Sequence, residues 1–174
     1  IAALHNDTIV KTRGFCTDVF FQAALGWIRK QQQAKTPFFA YISTNAPHGP
    51  MIAPQKNKKR FADLGWGDRT QGRYGMIENI DENFGLLMRK LDEWKLWDNT
   101  LVIFMTDNGQ AGSNGRLLPF GDRKNGKNVR MHSAGFKTGK GSQYEGGTHV
   151  PAFWRWKGKL GEGIDIPALT AHID

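Results

Sequence analysis

Several features are scarce in this sequence of 174 residues. It has a single cysteine, Cys16, so no disulfide can form within the chain. It has no apolar run of about 18 residues or more, the length that a membrane-spanning helix needs. Acidic residues are also few: 16 Asp and Glu stand against 24 Lys and Arg, and the formal net charge is +8. A basic balance favours anionic partners such as nucleic acid, acidic polysaccharide, or phosphate and sulfate esters.

Many of the basic residues fall into two clusters. Neither cluster has the interleaved aromatic residues of a platform for single-stranded nucleic acid, and the sequence carries no nucleic-acid fold signature. We therefore predict no nucleic-acid partner and interpret both clusters as solvated loops. They consist of Lys56, Lys58, Lys59 and Arg60, and of Arg123, Lys124, Lys127 and Arg130.

Hydrophobic residues make up 39% of the chain, enough for one domain with its own core. Apolar residues at helical spacing predict one helix from Thr17 or Asp18, as its cap, to about Gln33, and a second from about Arg73 to Trp94. We interpret the stripe on the second helix as core. It consists of Tyr74, Ile77, Ile80, Phe84, Leu87, Leu91 and Trp94.

Short apolar runs predict strands at 38–43, 100–106 and 150–156, and the pattern at 168–173 predicts the start of a further helix. The segments at 51–72 and 109–141 lack a clear period and are predicted to be irregular. Helices and strands that alternate in this way predict an α/β fold, with a layered and mostly parallel sheet flanked by helices.

Two oxygen-bearing side chains and a glycine, Asp107-Asn108-Gly109, follow the strand predicted at 100–106. In open α/β sheets, ligands bind beyond the carboxyl ends of the strands. A carboxylate beside an amide oxygen suits a hard divalent cation such as calcium. The same three residues are also ordinary turn chemistry, so this stretch alone leaves both interpretations open.

His48 lies in a second loop that follows a predicted strand. Pro47 and Pro50 restrict the backbone on either side and so hold the imidazole in place. A histidine at such a position can donate to an anion or act as a general acid, although a surface histidine would show the same pattern.

Lys140 lies between two glycines, Gly139 and Gly141, which allow the backbone to approach a ligand closely. Its ammonium suits an oxyanion, but the segment is not a Walker motif, because the first glycine and the strand-to-helix context are missing. Taken alone, the segment fits a glycine-rich hairpin with a solvated lysine better than a binding site.

Taken together and in this order, the three segments resemble the type I sulfatases. The resemblance runs from Lys11 to Leu169 and is looser at 52–70 and 110–135. The motifs that carry it are Asn45-Ala46-Pro47-His48-Gly49-Pro50, Thr106-Asp107-Asn108-Gly109 and Gly139-Lys140-Gly141-Ser142-Gln143-Tyr144-Glu145-Gly146-Gly147.

The resemblance implies an alkaline-phosphatase-like α/β core and hydrolysis of sulfate esters, with a sulfated sugar or aryl sulfate as substrate. It implies that Asp107 and Asn108 are ligands of one Ca²⁺ ion. It also implies that His48 contacts the sulfate and helps to protonate the leaving alcohol, and that Lys140 binds a sulfate or leaving-group oxygen. By family analogy, the protein is expected to be exported.

The nucleophile of the resembling family, a formylglycine made from cysteine, has no counterpart here. Cys16 is followed by Thr17-Asp18-Val19 instead of the Cys-x-Pro/Ala-Ser-x-Arg signature, and the paired aspartates that complete the metal site are also missing. The chain opens on Ile1 and stops at Asp174 in mid-pattern. We therefore expect residues 1–174 to be the central part of a sulfatase catalytic domain, without its nucleophile region and C-terminal subdomain, and inactive alone.

Two alternatives remain open from the sequence. One is a phosphatase or phosphodiesterase of the same superfamily, which shares the metal site at the strand ends but usually needs more His and Asp ligands. The other is a non-catalytic basic module whose salt-sensitive binding of polyanions would survive replacement of Asp107 and Lys140.

Overall fold

Two long helices packed against each other form the core of the fold in this computed structural model, which describes residues 2–111, 123–128 and 134–171. The described elements are β1 (Ala2–His5), β2 (Thr8–Lys11), α1 (Cys16–Ala34), α2 (Gln55–Lys59), α3 (Asp68–Glu93), β3 (Val102–Met105), β4 (Arg123–Lys124), β5 (Lys127–Asn128), α4 (Glu145–Thr148) and β6 (Ala152–Arg155). Single 3₁₀ turns lie at Ala62–Leu64 and Trp97–Asn99.

The apolar faces of α1 and α3 meet in one buried cluster, in which Ile28 and Leu91 are each 2% exposed. Burial of such side chains contributes roughly 1.5–3 kcal/mol each, so this contact is central to the stability of the domain. The buried cluster consists of Phe21, Leu25, Ile28, Leu87, Leu91 and Trp97.

The N-cap residue of α1 is Phe15, so the predicted cap at Thr17 or Asp18 is wrong. Both residues lie in the first turn of α1. Thr17 is fully buried, and one carboxylate oxygen of Asp18 accepts hydrogen bonds from the side-chain amides of Asn79 (2.9 Å) and Asn83 (2.7 Å). These polar contacts attach the start of α1 to α3.

Helix α3 begins at Asp68, earlier than the predicted start near Arg73. Its first half does not follow the predicted apolar stripe, since Ile77 is 45% exposed and the buried positions there include Gly72 and Asn79. The reason is backbone packing: a Cβ at Gly72 would lie 2.0 Å from the Met51 carbonyl oxygen. The segment that follows the His48 loop therefore lies directly on α3.

Helix α2 lies in the segment that was predicted to be irregular. Two of its lysines, and the arginine that follows it, form ion pairs with acidic residues of α3. Lys56 pairs with Glu82 at 2.7 Å. The other two pairs are Lys58 with Asp68 and Arg60 with Glu78. Three of the four residues of the first basic cluster are thus ion-paired with α3, and the segment is a helix and not the predicted loop, although Lys56 and Arg60 remain largely exposed to solvent.

Strand β3 pairs antiparallel with β6, with Phe104 opposite Phe153. The prediction of a strand after α3 is confirmed, but its predicted parallel pairing is not found among the described residues. Every strand pair there is antiparallel, namely β1 with β2, β3 with β6 and β4 with β5. The β1–β2 hairpin was not predicted, although Asn6 and Asp7 tolerate the positive φ angles of its turn.

The segment at 38–43 has the alternating burial of a strand, but no strand is assigned there. Phe38, Ala40 and Ile42 pack against the helical core, whereas Phe39 and Tyr41 are 85% and 81% exposed. The apolar pattern therefore predicts correctly which side chains are buried. The backbone hydrogen bonds that define a strand are missing from this segment among the described residues.

The helix predicted at 168–173 is absent from the part that the structure describes, which ends at residue 171. In the described ranges, no helix combines the length and the apolar character that are needed to cross a membrane.

Candidate functional site

The end of β3 presents the first pair of candidate residues. Met105 is the last residue of the strand, and Asp107 and Asn108 follow it in a bend. The Asp107 side chain is exposed and that of Asn108 is half-buried, so both can meet a ligand from solvent. The sequence prediction of a carboxylate and an amide at the carboxyl end of a strand is thus confirmed in its geometry.

Two backbone hydrogen bonds join this strand end to the loop that carries Lys140. The Gly109 N–H donates to the Gly147 carbonyl at 2.9 Å, and the Lys140 N–H donates to the Gln110 carbonyl at 3.0 Å. One bond is donated from each side, so the two segments hold each other in register. We call this pair of hydrogen bonds the clasp.

Close backbone packing explains why glycine follows Asp107-Asn108. A Cβ on Gly109 would lie 1.9 Å from the carbonyl oxygen of Gly146, far inside any real contact. The obstacle is backbone and not the end of a flexible side chain, so a larger residue would have to push the two segments apart. The clasp therefore depends on the absence of a side chain at Gly109.

The loop contains two lysines, and the structure distinguishes them. The Lys137 ammonium lies 4.0 Å from the centroid of the Tyr144 ring, a cation–π contact that holds it against its own loop. Lys140 is exposed, and its backbone is fixed by the clasp. This arrangement favours Lys140, over its neighbour three residues earlier, as the lysine offered to a ligand.

The His48 loop is anchored on both sides. The Thr44 hydroxyl donates to the Ala46 carbonyl at 2.8 Å, and Ala46 itself is buried. After the loop, Met51 packs on Gly72 of α3. These contacts fix a rigid loop that presents His48 at the surface.

The imidazole of His48 is oriented by its own loop. Its Nδ1 lies 2.9 Å from the Gly49 carbonyl oxygen. Because a carbonyl can only accept, Nδ1 carries a hydrogen in this contact, and Nε2 is the nitrogen left for a ligand. In the neutral ring Nε2 accepts a proton, and in the imidazolium it donates one.

The structure thus brings two of the three predicted segments into direct contact, those of Asp107-Asn108 and Lys140. His48 makes its described hydrogen bonds within its own loop. The segment that leads to His48 and strand β3 share a packing surface, because Ile42 and Val102 pack against the same buried cluster.

Asp107 and Asn108 have the type of ligand atom that calcium binds, but they supply only some of the ligands that a calcium site needs. Calcium takes about six to eight oxygen ligands, and Asp107 with Asn108 supplies a carboxylate and an amide oxygen. Among the residues that the structure describes, no group of three or more His, Cys, Asp or Glu side chains could hold a metal ion. The pair therefore fits part of a calcium site.

Sequence reasoning assigned no role to two contacts that shape the Lys140 loop. The Ser142 hydroxyl accepts hydrogen bonds from the Thr138 hydroxyl at 2.6 Å and the Tyr144 N–H at 3.0 Å. The His149 ring stacks on Phe136 with centroids 4.6 Å apart. Small hydroxyl residues among glycines are a common turn signal, so the sequence offered only a weak indication of the first contact.

Other predicted features lie outside the described residues. They are Arg130 of the second basic cluster and most of the loop at 110–135. The described part of that cluster forms the β4–β5 hairpin, in which the Lys124 ammonium lies 5.2 Å from the Trp66 ring centroid.

A family comparison matches almost the whole chain. The family model described as Sulfatase covers residues 5–174. The match includes all four candidate residues and both segments joined by the clasp.

Individual proteins agree with the family match. An N-acetylgalactosamine-6-sulfatase from Canis lupus familiaris is 34% identical over 167 residues, which cover 91% of this chain and 27% of that protein. The uncharacterized sulfatase YdeN of Escherichia coli strain K12 is 31% identical over 157 residues, with coverages of 88% and 25%. The chain therefore spans about a quarter of the length of the curated relatives that it matches.

Solved structures share the fold. The crystal structure of Ps i-CgsB in complex with k-i-k-neocarrahexaose superposes with a TM-score of 0.72 at 32% identity, covering 88% of this chain and 31% of that one. A second structure, of the putative sulfatase yidJ from Bacteroides fragilis, has a TM-score of 0.62 at 21% identity, with coverages of 86% and 33%.

Proposed function

Because the chain belongs to the sulfatase family, we propose that the protein containing it is a sulfuric ester hydrolase. Residues 1–174 are then the central part of its catalytic domain. The nucleophile region and the C-terminal subdomain are contributed by other parts of the protein. The partial coverage of the relatives supports this division, since the match takes up only 27% of the canine enzyme.

The clasp is the observation that carries the proposal. It holds a carboxylate and an amide at a strand end next to an exposed lysine. A site that cleaves a sulfate ester has to bind an anionic group and offset the charge that develops on the departing oxygen. A metal-binding pair beside a lysine whose backbone is held in place meets both needs.

In this proposal, Asp107 and Asn108 supply two oxygen ligands to one Ca²⁺ ion. When bound, the ion supplies positive charge to the sulfuryl oxygens. The Asp107 carboxylate adds charge attraction, and the Asn108 amide adds a neutral oxygen donor. The formylglycine nucleophile lies outside this chain, so the isolated segment is expected to be inactive.

Lys140 and His48 act on the substrate. The Lys140 ammonium binds a sulfate or leaving-group oxygen, where it stabilises the charge that builds up in the transition state. His48 contacts the sulfate and, as imidazolium, delivers the proton on Nε2 to the departing alkoxide. The hydrogen bond from Nδ1 to Gly49 favours this orientation of the ring.

We propose a sulfated sugar as the substrate class. Two comparisons support it: a 34%-identical relative is an N-acetylgalactosamine-6-sulfatase, and a 32%-identical structure was solved in complex with k-i-k-neocarrahexaose. The net charge of +8 agrees with an anionic substrate. By analogy with the family, the protein is proposed to be exported.

Replacement of Lys140 tests the proposal. In the full-length protein, Lys140→Ala is expected to lower kcat for a sulfate ester by about 10²–10³-fold, the usual cost of losing one transition-state donor. The matched variant Lys137→Ala removes a lysine from the same loop and is expected to retain most activity, because its ammonium lies against Tyr144.

The assay compares release of inorganic sulfate from sulfated monosaccharides and aryl sulfates with release of phosphate from the matching phosphate esters. Equal rates for both lysine variants would contradict the assignment of Lys140. A wild-type protein that cleaves the phosphate esters and not the sulfate esters would support the phosphatase alternative.

A further inference from the structure

The hydroxyl of Ser142 closes the loop around Lys140. It accepts one hydrogen bond from the Thr138 hydroxyl at 2.6 Å and one from the Tyr144 N–H at 3.0 Å. These two donors lie on opposite sides of Lys140 in the sequence. A single oxygen therefore links both flanks of the loop that presents the lysine.

The backbone of Ser142 adds two further contacts. Its N–H donates to the Gly139 carbonyl at 3.1 Å, which closes a tight turn with Lys140 and Gly141 at its tip. Its carbonyl packs on Gly147, where a Cβ would lie 2.1 Å from the Ser142 oxygen. Since the Gly147 carbonyl accepts the Gly109 N–H, Ser142 is connected to the strand end as well as to the lysine.

Thr138 adopts a backbone conformation that needs such support. Its φ angle is +66°, in the left-handed region, which is unfavourable for a β-branched residue. Strain of this kind persists only where the surroundings enforce it. The hydrogen bond to Ser142 is one such contact, so we expect loss of the Ser142 hydroxyl to loosen the flank that leads into Lys140.

We propose that Ser142 is a positioning residue for Lys140: its hydroxyl holds the loop in the conformation that fixes the ammonium relative to Asp107 and Asn108. The inference rests on the proposed function. Ser142 makes no contact with substrate in this account and acts only through the placement of the lysine.

The test is a double-mutant cycle in the full-length protein. Ser142→Ala is expected to lower kcat for a sulfate ester by up to about a hundredfold with a smaller change in KM, the effect of a small misplacement of a catalytic group. Ser142→Thr, which keeps the hydroxyl, is expected to restore most of the rate. Thr148→Ala, which removes a hydroxyl from the adjacent helix α4, serves as the matched control and is expected to be near wild type.

The decisive comparison is made in the Lys140→Ala background. If Ser142 acts through Lys140, adding Ser142→Ala to Lys140→Ala has little further effect on kcat. An equal fold-loss in both backgrounds would overturn the positioning role while leaving the proposed function intact. A wild-type protein without sulfate-ester hydrolysis would overturn the proposed function itself.

A second variant covers the case in which Ser142→Ala fails to fold, as monitored by thermal unfolding. Thr138→Val removes the donor to Ser142 and keeps the shape of the side chain. It is expected to lower kcat when Lys140 is intact and to have little further effect on kcat when it is added to Lys140→Ala. Unchanged kcat in Thr138→Val would overturn the role of this hydrogen bond.

Discussion

At the scale of single residues, the site depends on the absence of a side chain at Gly109 as much as on the oxygen-bearing side chains of Asp107 and Asn108. Asp107 is exposed and Asn108 is half-buried, and the residue that follows them packs its backbone against Gly146 and Gly147. The same contact brings the Lys140 loop to the strand end. A glycine at position 109 is therefore needed for the strand end and the Lys140 loop to form one site.

Gly109→Ala is predicted to damage both structure and activity. Its Cβ would meet the Gly146 carbonyl oxygen at 1.9 Å, so the clasp has to open. We expect a loss of stability of about 1–3 kcal/mol, as for other overpacked sites, and a fall in kcat of about a hundredfold from the displaced lysine. Thermal unfolding and sulfate-ester hydrolysis by the full-length protein measure the two effects.

Gly26→Ala is the matched control for the same substitution. Gly26 lies on the exposed face of α1, and a Cβ there would meet nothing within 4 Å. Alanine in a helix is favoured over glycine by roughly 0.8–1.0 kcal/mol, so this variant is expected to gain stability and keep its activity. A Gly109→Ala protein as stable and active as Gly26→Ala would contradict the importance of the clasp.

The candidate residues themselves could be predicted from the sequence, whereas the contacts that position them could not. Asp107 and Lys140 stand in motifs with local signals, a strand end and a glycine-flanked lysine. The bond between Lys140 and Gln110 joins positions 30 residues apart in the sequence, and no local pattern specifies such a pairing. The contacts of Ser142 could not be predicted for a similar reason, since a serine among glycines is also a common turn residue.

At the scale of secondary-structure elements, the charges on α2 serve the fold. Lys56, Lys58 and Arg60 each pair with an acid of α3. The hydrogen bond with Glu82 raises the pKa of Lys56, and the same bond lowers the pKa of Glu82. A cluster that is engaged in this way offers less positive charge to a polyanion than its sequence suggests.

The Lys56–Glu82 pair predicts a dependence of stability on pH. Because the pKa of Glu82 is lower in the folded protein than its ordinary value of 4.5, the pair stabilises the fold above that value. This contribution is lost as the pH falls through the lowered pKa. Both side chains are substantially exposed, so we expect less than about 1 kcal/mol.

The measurement compares the free energy of unfolding of wild type and Glu82→Gln at neutral pH and at a pH below the folded-state pKa of Glu82. The difference should be present at neutral pH and shrink on acidification. A difference that stays constant or grows at low pH would contradict the role of the ion pair. Glu93→Gln, in which the Lys90 partner lies on the same helix, is a control that leaves the contact between α2 and α3 intact.

The two long helices, whose apolar residues recur over many turns, were predicted well. The short elements and the pairing of the strands were predicted poorly. Helices α1 and α3 were found from their period, although Gly72 and the Met51 backbone changed which face of α3 is buried. The pairing of β3 with β6 depends on residues about 50 positions apart, and its antiparallel direction has no local signal. The segment at 38–43 shows the limit most clearly, since a correct apolar pattern did not yield a ladder.

At the scale of the whole molecule, the chain has a partial α/β core of the alkaline-phosphatase-like type that its family shares. Within it, the described residues place the proposed metal ligands Asp107 and Asn108 beside the loop of Lys140, and His48 lies on a separate anchored loop. This arrangement supports about half of a sulfatase site. The remaining ligands and the nucleophile are proposed to come from the rest of the protein.

The central claim is that Asp107 is a metal ligand of a sulfate-ester-cleaving site, and one measurement tests it most directly. Sulfate-ester hydrolysis by the full-length protein is compared between wild type, Asp107→Ala and Asp98→Ala over a calcium titration. Asp98 precedes the other end of the same strand, and its exposed carboxylate lies 3.3 Å from Lys157, which makes it a matched control. We predict that Asp98→Ala keeps near-normal turnover and that Asp107→Ala abolishes it, even at saturating calcium. Near-normal turnover of Asp107→Ala at saturating calcium would contradict the account.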